Sequence, residues 1–265
     1  MDQTWRSSDQ LEAATGMPLL AIIPSQPKRL RSGAGLPVFH QSFPPLLAGF
    51  RALRTTLHLN ARRHGKTSFL FTSACAGDGK SFCAMGYAMT LAQQGIKTLL
   101  IDADICSPSL ESALLGTASL SGLAQVLEGT DRLESAVVRT SIHHLDLLPA
   151  GRRMTEASEL LADSSVHNLL CAAKAQYECI VIDSPPIQGA GDALILAEAV
   201  DSICLIVRYA RTEQKQALKA LRLLGEHESK IEGVIFNAAN ISLLPEYPSI
   251  SGAAVKFPQQ SFQPA

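Results

Sequence analysis

Lys80 and Ser81 close a glycine-containing turn with the sequence AGDGKS, and this arrangement indicates phosphate chemistry. The apolar residues 68–73 before the turn predict a short buried strand, and the apolar and small residues 82–94 after it predict a helix. A strand, a turn of this kind and a helix together form the context of a phosphate-binding loop, so we predict such a loop here. The alternative is a Gly-rich strand-to-helix turn with an incidental lysine, since the full consensus has Gly at the position of Ala74.

The predicted loop assigns a role to each of its positions. Backbone N–H groups from Ala76 to Gly79 can surround the oxygens of a nucleotide β-phosphate, and glycine leaves out the Cβ atoms that would keep the phosphate away. Lys80 places a positive charge on the β- and γ-phosphate oxygens. The Ser81 hydroxyl binds Mg²⁺ at the positive N-terminal end of the following helix. The nucleotide-binding residues predicted from this segment are Ala76, Gly77, Asp78, Gly79, Lys80, Ser81 and Phe82.

Two further apolar segments end in aspartates. TLLIDAD ends with Asp102 and Asp104, and CIVIDSPP contains Asp183. In a sheet wound around a phosphate loop, one acid holds the water shell of Mg²⁺ while a second orients or deprotonates an attacking hydroxyl. A lone aspartate at a strand end is more often a turn former or helix cap, but three of them behind a phosphate loop favour a functional role. The predicted catalytic residues are Lys80, Asp102, Asp104 and Asp183, and the predicted metal ligands are Ser81, Asp102, Asp104 and Asp183.

Strand and helix patterns alternate along most of the chain. The predicted strands are 17–24, 68–73, 98–102, 144–148, 179–183, 202–207 and 231–236, and the predicted helices are 8–14, 46–63, 82–94, 155–175, 190–199 and 212–228. This alternation predicts an α/β fold with a doubly wound, mostly parallel sheet, in which phosphates bind at the carboxyl ends of the strands. We predict an N-terminal extension and linker over 1–45, a nucleotide-binding domain over 46–240 and a disordered tail over 241–265.

Composition excludes several classes of protein. With 265 residues, 46% of them hydrophobic, the chain can bury one sizeable core. A net charge of −1 gives no reason to expect a nucleic-acid partner. The six cysteines form no C-x-x-C pair and read as reduced thiols of a cytoplasmic protein. No apolar run approaches the roughly 18 residues that a membrane span needs.

Several of these segments resemble the bacterial tyrosine kinases of capsule and exopolysaccharide synthesis. AGDGKS, LLIDAD and CIVIDSPP are similar to the three nucleotide-binding motifs of that family, and the likeness covers about Ser8 to Asn240. The segments LDLLPAGRRMTEASELL, GDALILAEAVDSICLIVR and GVIFN are also similar. In GVIFN, the resemblance implies that Asn237 contacts the adenine of the nucleotide.

The resemblance implies an ATP- and Mg²⁺-dependent protein-tyrosine (auto)kinase domain that regulates the polymerisation and export of exopolysaccharide or capsule. It implies a transmembrane polysaccharide co-polymerase as partner, a homo-oligomer, and a cytoplasmic location at the inner face of the plasma membrane. The family assembles rings through an E-x-x-R-x-x-R helix, in which Arg51 and Arg54 match but Ala48 replaces the glutamate. Cys106 stands where the family's D-x-D-x-R motif ends in arginine. Tyr247 is the only tyrosine beyond the predicted core, so it is the candidate for autophosphorylation.

Two alternative functions stay open. The tyrosine-poor tail and Cys106 favour a catalytically weak, ATP-binding regulatory subunit of the polysaccharide export machinery. The partitioning and division-site ATPases are the second alternative, but their loop carries a second lysine where this chain has Cys75. We favour the kinase because the charged residues that phosphoryl transfer needs are all present.

Overall fold

A mostly parallel sheet of eight strands lies at the centre of the protein. The computed structural model describes residues 3–26, 43–116, 121–155, 157–161, 165–188 and 191–243. The strands are β1 (Leu19–Pro24), β2 (Ser68–Ser73), β3 (Thr98–Asp102), β4 (Val138–Arg139), β5 (Leu145–Leu148), β6 (Cys179–Asp183), β7 (Ser202–Arg208) and β8 (Ile231–Ala239). Their order is β1-β8-β7-β2-β6-β3-β5-β4, and only the short edge strand β4 runs antiparallel to its neighbour. The predicted α/β class is confirmed.

Helices cover both faces of the sheet. They are α1 (Ser8–Thr15), α2 (Pro44–His64), α3 (Lys80–Ala92), α4 (Leu110–Leu114), α5 (Leu123–Leu127), α6 (Leu133–Ala136), α7 (Ser158–Leu161), α8 (Ser165–Lys174), α9 (Asp192–Ala199) and α10 (Gln214–Leu223). Side chains alternate across each strand, so Phe69 and Phe71 join the core under α2 and α3 while Leu70 joins the core on the other face. The result is a three-layer arrangement with a core on each side of the sheet.

The carboxyl ends of β2, β3 and β6 meet at one edge of the sheet. β6 is the neighbour of both β2 and β3, and all three strands run parallel. Asp102 and Asp183 are directly opposite each other in the β3–β6 register, and the Ala103 N–H donates to the Asp183 carbonyl at 2.8 Å. The sheet therefore brings the acids at these two strand ends side by side, next to the loop that leaves β2.

Several predicted bounds are corrected by the structure. The strand predicted from His144 begins at Leu145, because His144 has a φ of 66° and cannot continue an extended ladder. The helix predicted over 212–228 ends at Leu223, and residues 225–230 form a 3₁₀ helix in which His227 departs from helical geometry. Of the helix predicted over 155–175, the described parts are α7 and α8. The short elements α4, α5, α6 and β4 were not predicted.

The N-terminal segment is part of the same sheet. β1 pairs in parallel with β8, so the predicted extension contributes a strand to the predicted domain. Before α1, the backbone runs along the segment that follows β7: the Gln214 N–H donates to the Gln3 carbonyl at 2.9 Å, and the Ala210 N–H donates to the Trp5 carbonyl at 2.8 Å. The Trp5 side chain is 1% exposed and joins the core. This segment therefore anchors the chain between β7 and α10.

We expect Trp5→Ala to lower the free energy of unfolding by about 3–5 kcal/mol, because it empties a large, fully buried site. Trp5→Phe is the matched control. It keeps most of the apolar volume and removes the indole N–H, which has no hydrogen-bond partner in the described part of the chain. Urea unfolding followed by circular dichroism measures both changes. A loss in Trp5→Ala below about 0.5 kcal/mol, the range of ordinary surface changes, would contradict this role of Trp5.

Candidate functional site: a phosphate-binding loop with buried aspartates

The loop between β2 and α3 adopts a conformation that its glycines permit. Gly77 and Gly79 have φ angles of 83° and 97°, in the region that residues with a Cβ avoid. A Cβ on Gly79 would lie 2.1 Å from Asn237 Nδ2, and one on Gly77 would lie 2.6 Å from an Arg211 Nη atom. α3 begins at Lys80 rather than at the predicted Phe82, so Lys80 and Ser81 occupy its first turn. The loop thus leads into a helix N-terminus, which favours anions.

Side chains from distant segments of the chain hold this loop in place. The Asp78 carboxylate accepts hydrogen bonds from the Cys75 N–H at 3.2 Å and from the Thr212 hydroxyl at 2.9 Å. The Asn237 amide donates to the Asp78 carbonyl at 2.8 Å, and Arg208 donates to the Gly77 carbonyl at 2.5 Å. Burial raises the pKa of Asp78, and its hydrogen bond from Thr212 opposes that rise. The Asp78 side chain therefore points into the protein and braces the loop from behind.

Asn237, which the family resemblance places at the adenine, also contacts the phosphate-binding loop. Its side chain is 4% exposed, its Nδ2 donates to Asp78, and its Oδ1 accepts from the Ala238 N–H at 2.7 Å. Both ends of the amide are thus in use within the protein, and Asn237 positions the loop. Contact with adenine stays a prediction. Arg208 and Thr212 are loop-bracing residues that sequence reasoning missed, because nothing in the local sequence indicates that they reach a loop more than a hundred residues earlier.

Lys80 lies at the bottom of the site and faces Asp104. Its side chain is only 7% exposed, and its Nζ is 4.0 Å from Asp104 Oδ2. Burial raises the pKa of Asp104, while the charge of Lys80 and a hydrogen bond from the Ser107 N–H oppose the rise. At this distance the pair is an ion pair without a tight hydrogen bond. Lys80 is therefore free to move toward a phosphate without breaking a strong contact.

Asp102 is fully buried and well supplied with hydrogen bonds. Its Oδ2 accepts from the N–H groups of Ser109 and Leu110, both at 3.0 Å, and its Oδ1 accepts from the Asp104 N–H at 3.3 Å. Burial is the main cause that raises the pKa of Asp102 to about 6, and these backbone donors limit the rise. The carboxylate thereby ties the end of β3 to the start of α4.

Asp183 is buried in a different environment. It is 0% exposed, and within the described residues neither of its carboxylate oxygens has a hydrogen-bond partner. Burial, followed by the charge of Asp102, raises the pKa of Asp183 well above its usual value. The hydroxyl of Ser81 and the charge of Lys80 oppose this rise, although that hydroxyl lies outside normal hydrogen-bonding geometry. An unpartnered buried carboxylate is costly unless a cation or water completes it.

The arrangement of these residues fits a magnesium nucleotide better than a metal held by protein alone. No group of three or more His, Cys, Asp or Glu side chains in the described residues is arranged to hold a metal ion. Mg²⁺ suits such a site, because it keeps several waters and takes further ligands from phosphates, with one or two carboxylates from the protein. Asp183, whose carboxylate has no hydrogen-bond partner among the described residues, and the neighbouring Ser81 are best placed to bind Mg²⁺, directly or through water.

Of the remaining predicted residues, Arg51 and Arg54 lie on α2, outside this cluster. Tyr247 is not among the described residues. Arg54 donates to the Thr90 carbonyl on α3 at 3.3 Å, whereas Ala48 and Arg51 lie on the exposed face of α2. A cavity of about 430 Å³ is lined by Met154, Ser158, Glu159 and Leu160. Ser158 also donates a short hydrogen bond to Asp192.

Comparison with known proteins identifies the family. The sequence profile described as an AAA domain matches residues 71–231. The tyrosine-protein kinase YwqD of Bacillus subtilis is 36% identical over 198 residues, which cover 75% of this chain and 83% of that protein. The chain belongs to the bacterial tyrosine-protein kinases. The structure named BceF tyrosine kinase domain superposes with a TM-score of 0.81 at 27% identity, over 89% of this chain and 99% of that one.

The predicted family is therefore confirmed. The rival class shares only the fold. The division protein MinD of Pyrococcus horikoshii, solved with Mg-ADP, has a TM-score of 0.55 at 23% identity over 64% of this chain and 70% of that one. As to membrane insertion, none of the helices in the described ranges has the length and apolar character to span a bilayer.

Proposed function

We propose that this chain binds Mg·ATP at the β2–α3 loop and transfers the γ-phosphoryl group to tyrosine, as a kinase domain that regulates exopolysaccharide or capsule polymerisation and export. The observation that carries the proposal is the buried, unpartnered carboxylate of Asp183 beside Ser81, at the mouth of a loop whose backbone leads into a helix N-terminus. Mg²⁺, when bound, neutralises charge on the β- and γ-phosphates and polarises the transferred group.

The residues of the chain divide the remaining work. The loop amides and Lys80 hold the phosphates, and Lys80 neutralises charge that grows on the leaving β-phosphate oxygen. Ser81 and Asp183 hold the magnesium and its waters. In the transfer, the tyrosine oxygen bonds to the γ-phosphorus, and the bond from that phosphorus to the β–γ bridging oxygen breaks, so that ADP leaves. Asp104, which is less buried than Asp102, accepts the phenolic proton and passes it to water.

The proposed partner is a transmembrane polysaccharide co-polymerase, and the proposed assembly is a homo-oligomer at the inner face of the plasma membrane. The exposed α2 face that carries Ala48 and Arg51 is where neighbouring subunits would meet. Because Ala48 replaces a family glutamate, an intersubunit ion pair to Arg51 or Arg54 is missing. We therefore propose a weaker ring than in the family as a whole. A regulatory subunit that binds ATP without transferring phosphate is the second candidate, favoured by Cys106.

Incubation of the purified chain with Mg·ATP, followed by mass spectrometry, tests the proposal. Phosphotyrosine in the chain supports the kinase. Bound ATP without phosphotyrosine, under conditions in which the proposed co-polymerase partner is also supplied, supports the regulatory subunit instead. No binding of Mg·ATP at all, measured by calorimetry, would contradict both candidates.

Tyr247 should carry most of the autophosphorylation, and Tyr247→Phe should remove it. The other three tyrosines are held by the core: Tyr87 is 1% exposed, Tyr177 donates to Asp146 at 2.9 Å, and the Tyr209 ring packs 5.7 Å from that of Phe236. None can reach a γ-phosphate without leaving its place. Tyr209→Phe is the matched control and should keep the phosphorylation. Phosphate mapped to one of these three residues would contradict the prediction.

A further inference from the structure

The segment after β5 runs alongside the segment that carries Asp104. The Met154 N–H donates to the Ile105 carbonyl at 3.5 Å, and the Cys106 thiol contacts the Thr155 carbonyl at 3.6 Å. Between these two contacts, Arg153 Nε donates to the Cys106 carbonyl at 2.7 Å. Three successive residues, 153–155, are thus attached to Ile105 and Cys106. The guanidinium of Arg153 is thereby attached to Cys106, which follows Asp104 by two residues in the sequence.

Among the described residues, only the Nε atom of the Arg153 guanidinium has a hydrogen-bond partner. Its Nε is bound to the Cys106 carbonyl, and no described residue accepts a hydrogen bond from its terminal nitrogens. The Arg153 side chain is exposed. Burial raises the pKa of Asp104, and the charge of Arg153 is one of the smaller effects that oppose this rise, so the two groups lie within each other's electrostatic field. An anchored guanidinium with free terminal nitrogens is suited to bind phosphate oxygens in a bidentate manner.

The distribution of charges in the site favours a further positive charge near the acidic residues. Asp102, Asp104 and Asp183 stand at the strand ends, and Lys80 is the cation buried among them. Arg208 and Arg211 lie on the other side of the loop, against Gly77. A triphosphate brings further negative charge to the side where the acids are, and its terminal phosphate lies farthest from the loop amides. Stabilisation of the negative charge on this terminal phosphate contributes most to the rate of phosphoryl transfer.

We propose that Arg153 binds the terminal phosphate of the nucleotide and is a catalytic residue of the transfer, supplied by the segment after β5 rather than by the segment of Asp104 itself. This inference rests on the proposed function. In the ground state Arg153 discriminates ATP from ADP, since ADP lacks the phosphate that it contacts. During transfer it stabilises the equatorial oxygens of the γ-phosphoryl group as the bond to the bridging oxygen breaks.

Arg153→Ala and Arg152→Ala form a matched pair for the test. Arg152 is the adjacent residue of the same type, but its guanidinium pairs with Glu128 at 2.7 Å and its side chain is 62% exposed, so its removal should change little. Calorimetry with Mg²⁺ measures the affinity of each variant for ADP and for the β,γ-imido analogue of ATP. For Arg153→Ala we expect the analogue affinity to fall about tenfold or more and the ADP affinity to stay within about twofold.

The rate of phosphotyrosine formation provides a second measurement. We expect it to fall about 10²-fold or more in Arg153→Ala, and Arg153→Lys to recover only part of the loss because an ammonium cannot bind two oxygens in a planar fork. If Arg153→Ala equals Arg152→Ala in analogue affinity, the proposal is overturned. Equal losses for ADP and the analogue would also overturn it, since they indicate a general effect on the loop. If the wild type, with the proposed co-polymerase partner supplied, binds Mg·ATP but forms no phosphotyrosine, the kinase function fails, while the two affinities still decide the role of Arg153.

Discussion

Lys80→Met is expected to reduce phosphate transfer by about 10²–10³-fold, because it removes the charge that neutralises the β- and γ-phosphate oxygens. The substitution also leaves Asp102, Asp104 and Asp183 without their buried cation, so the site repels the nucleotide. Affinity for Mg·ATP should fall with the rate. Lys80 lies in the first turn of α3, and methionine is a good helix former, so the fold should persist.

Calorimetry with Mg·ATP and circular dichroism check this result. Lys219→Met is the matched control, since Lys219 lies on the exposed face of α10 and the same change of residue type should leave nucleotide affinity unaltered. A Lys80→Met protein that binds Mg·ATP as tightly as the wild type would contradict the assignment of the loop. If circular dichroism shows that Lys80→Met is unfolded, Lys80→Arg is tested in its place, because arginine keeps the positive charge and changes its geometry.

Asp183→Asn is expected to abolish phosphate transfer while making the nucleotide-free protein more stable. The carboxylate is buried without a hydrogen-bond partner among the described residues, and a neutral amide of the same size costs less to bury. We expect the free energy of unfolding to rise by about 1–3 kcal/mol at a pH above the raised pKa of Asp183. Magnesium-dependent nucleotide binding should fall, because an amide oxygen is a weaker ligand than a carboxylate.

The raised pKa of Asp183 predicts how the free energy of unfolding changes with pH. Burial raises the pKa of Asp183, so the folded protein keeps a proton that the unfolded chain releases, and the free energy of unfolding falls as pH rises through that window. For Asp102 the window runs from its unfolded value of 3.8 to about 6. The stability gained by Asp183→Asn should therefore shrink as the pH is lowered through the raised pKa of Asp183, because the wild-type carboxyl then becomes protonated.

Asp102→Asn provides the contrasting measurement. Its carboxylate oxygens together accept hydrogen bonds from three backbone N–H groups. In Asp102→Asn, the side-chain NH₂ group would replace one of these oxygens and face a backbone N–H donor, so at least one hydrogen bond would be lost. We expect Asp102→Asn to destabilise the protein by about 1–3 kcal/mol, the opposite sign to Asp183→Asn. Urea unfolding at two pH values measures both variants. Equal effects of the two substitutions would contradict the distinction between the two acids.

The sequence by itself determined the central strands and the position of the site. The bounds of β2, β3 and β6 follow from unbroken apolar runs, since strands buried on both faces need no alternation and stop where the first charged or turn-forming residue appears. Once these strands are parallel, their carboxyl ends share one edge, so Lys80, Asp102 and Asp183 had to meet there. Local pattern was sufficient because each of these features lies within one short segment.

Tertiary structure alone decided what each acid does and what holds the loop. Asp102 and Asp183 look alike in sequence, yet the carboxylate of Asp102 accepts three backbone N–H groups and the carboxylate of Asp183 accepts none from the described residues. The short helix α4 has too few residues for a periodic pattern, and Asp102 ties down its first turn. The contacts of Thr212 and Asn237 with Asp78, and of Arg153 with Cys106, join segments about 50 to 160 residues apart. The order of the strands in the sheet determines which of these residues meet, and no local stretch of sequence encodes that order.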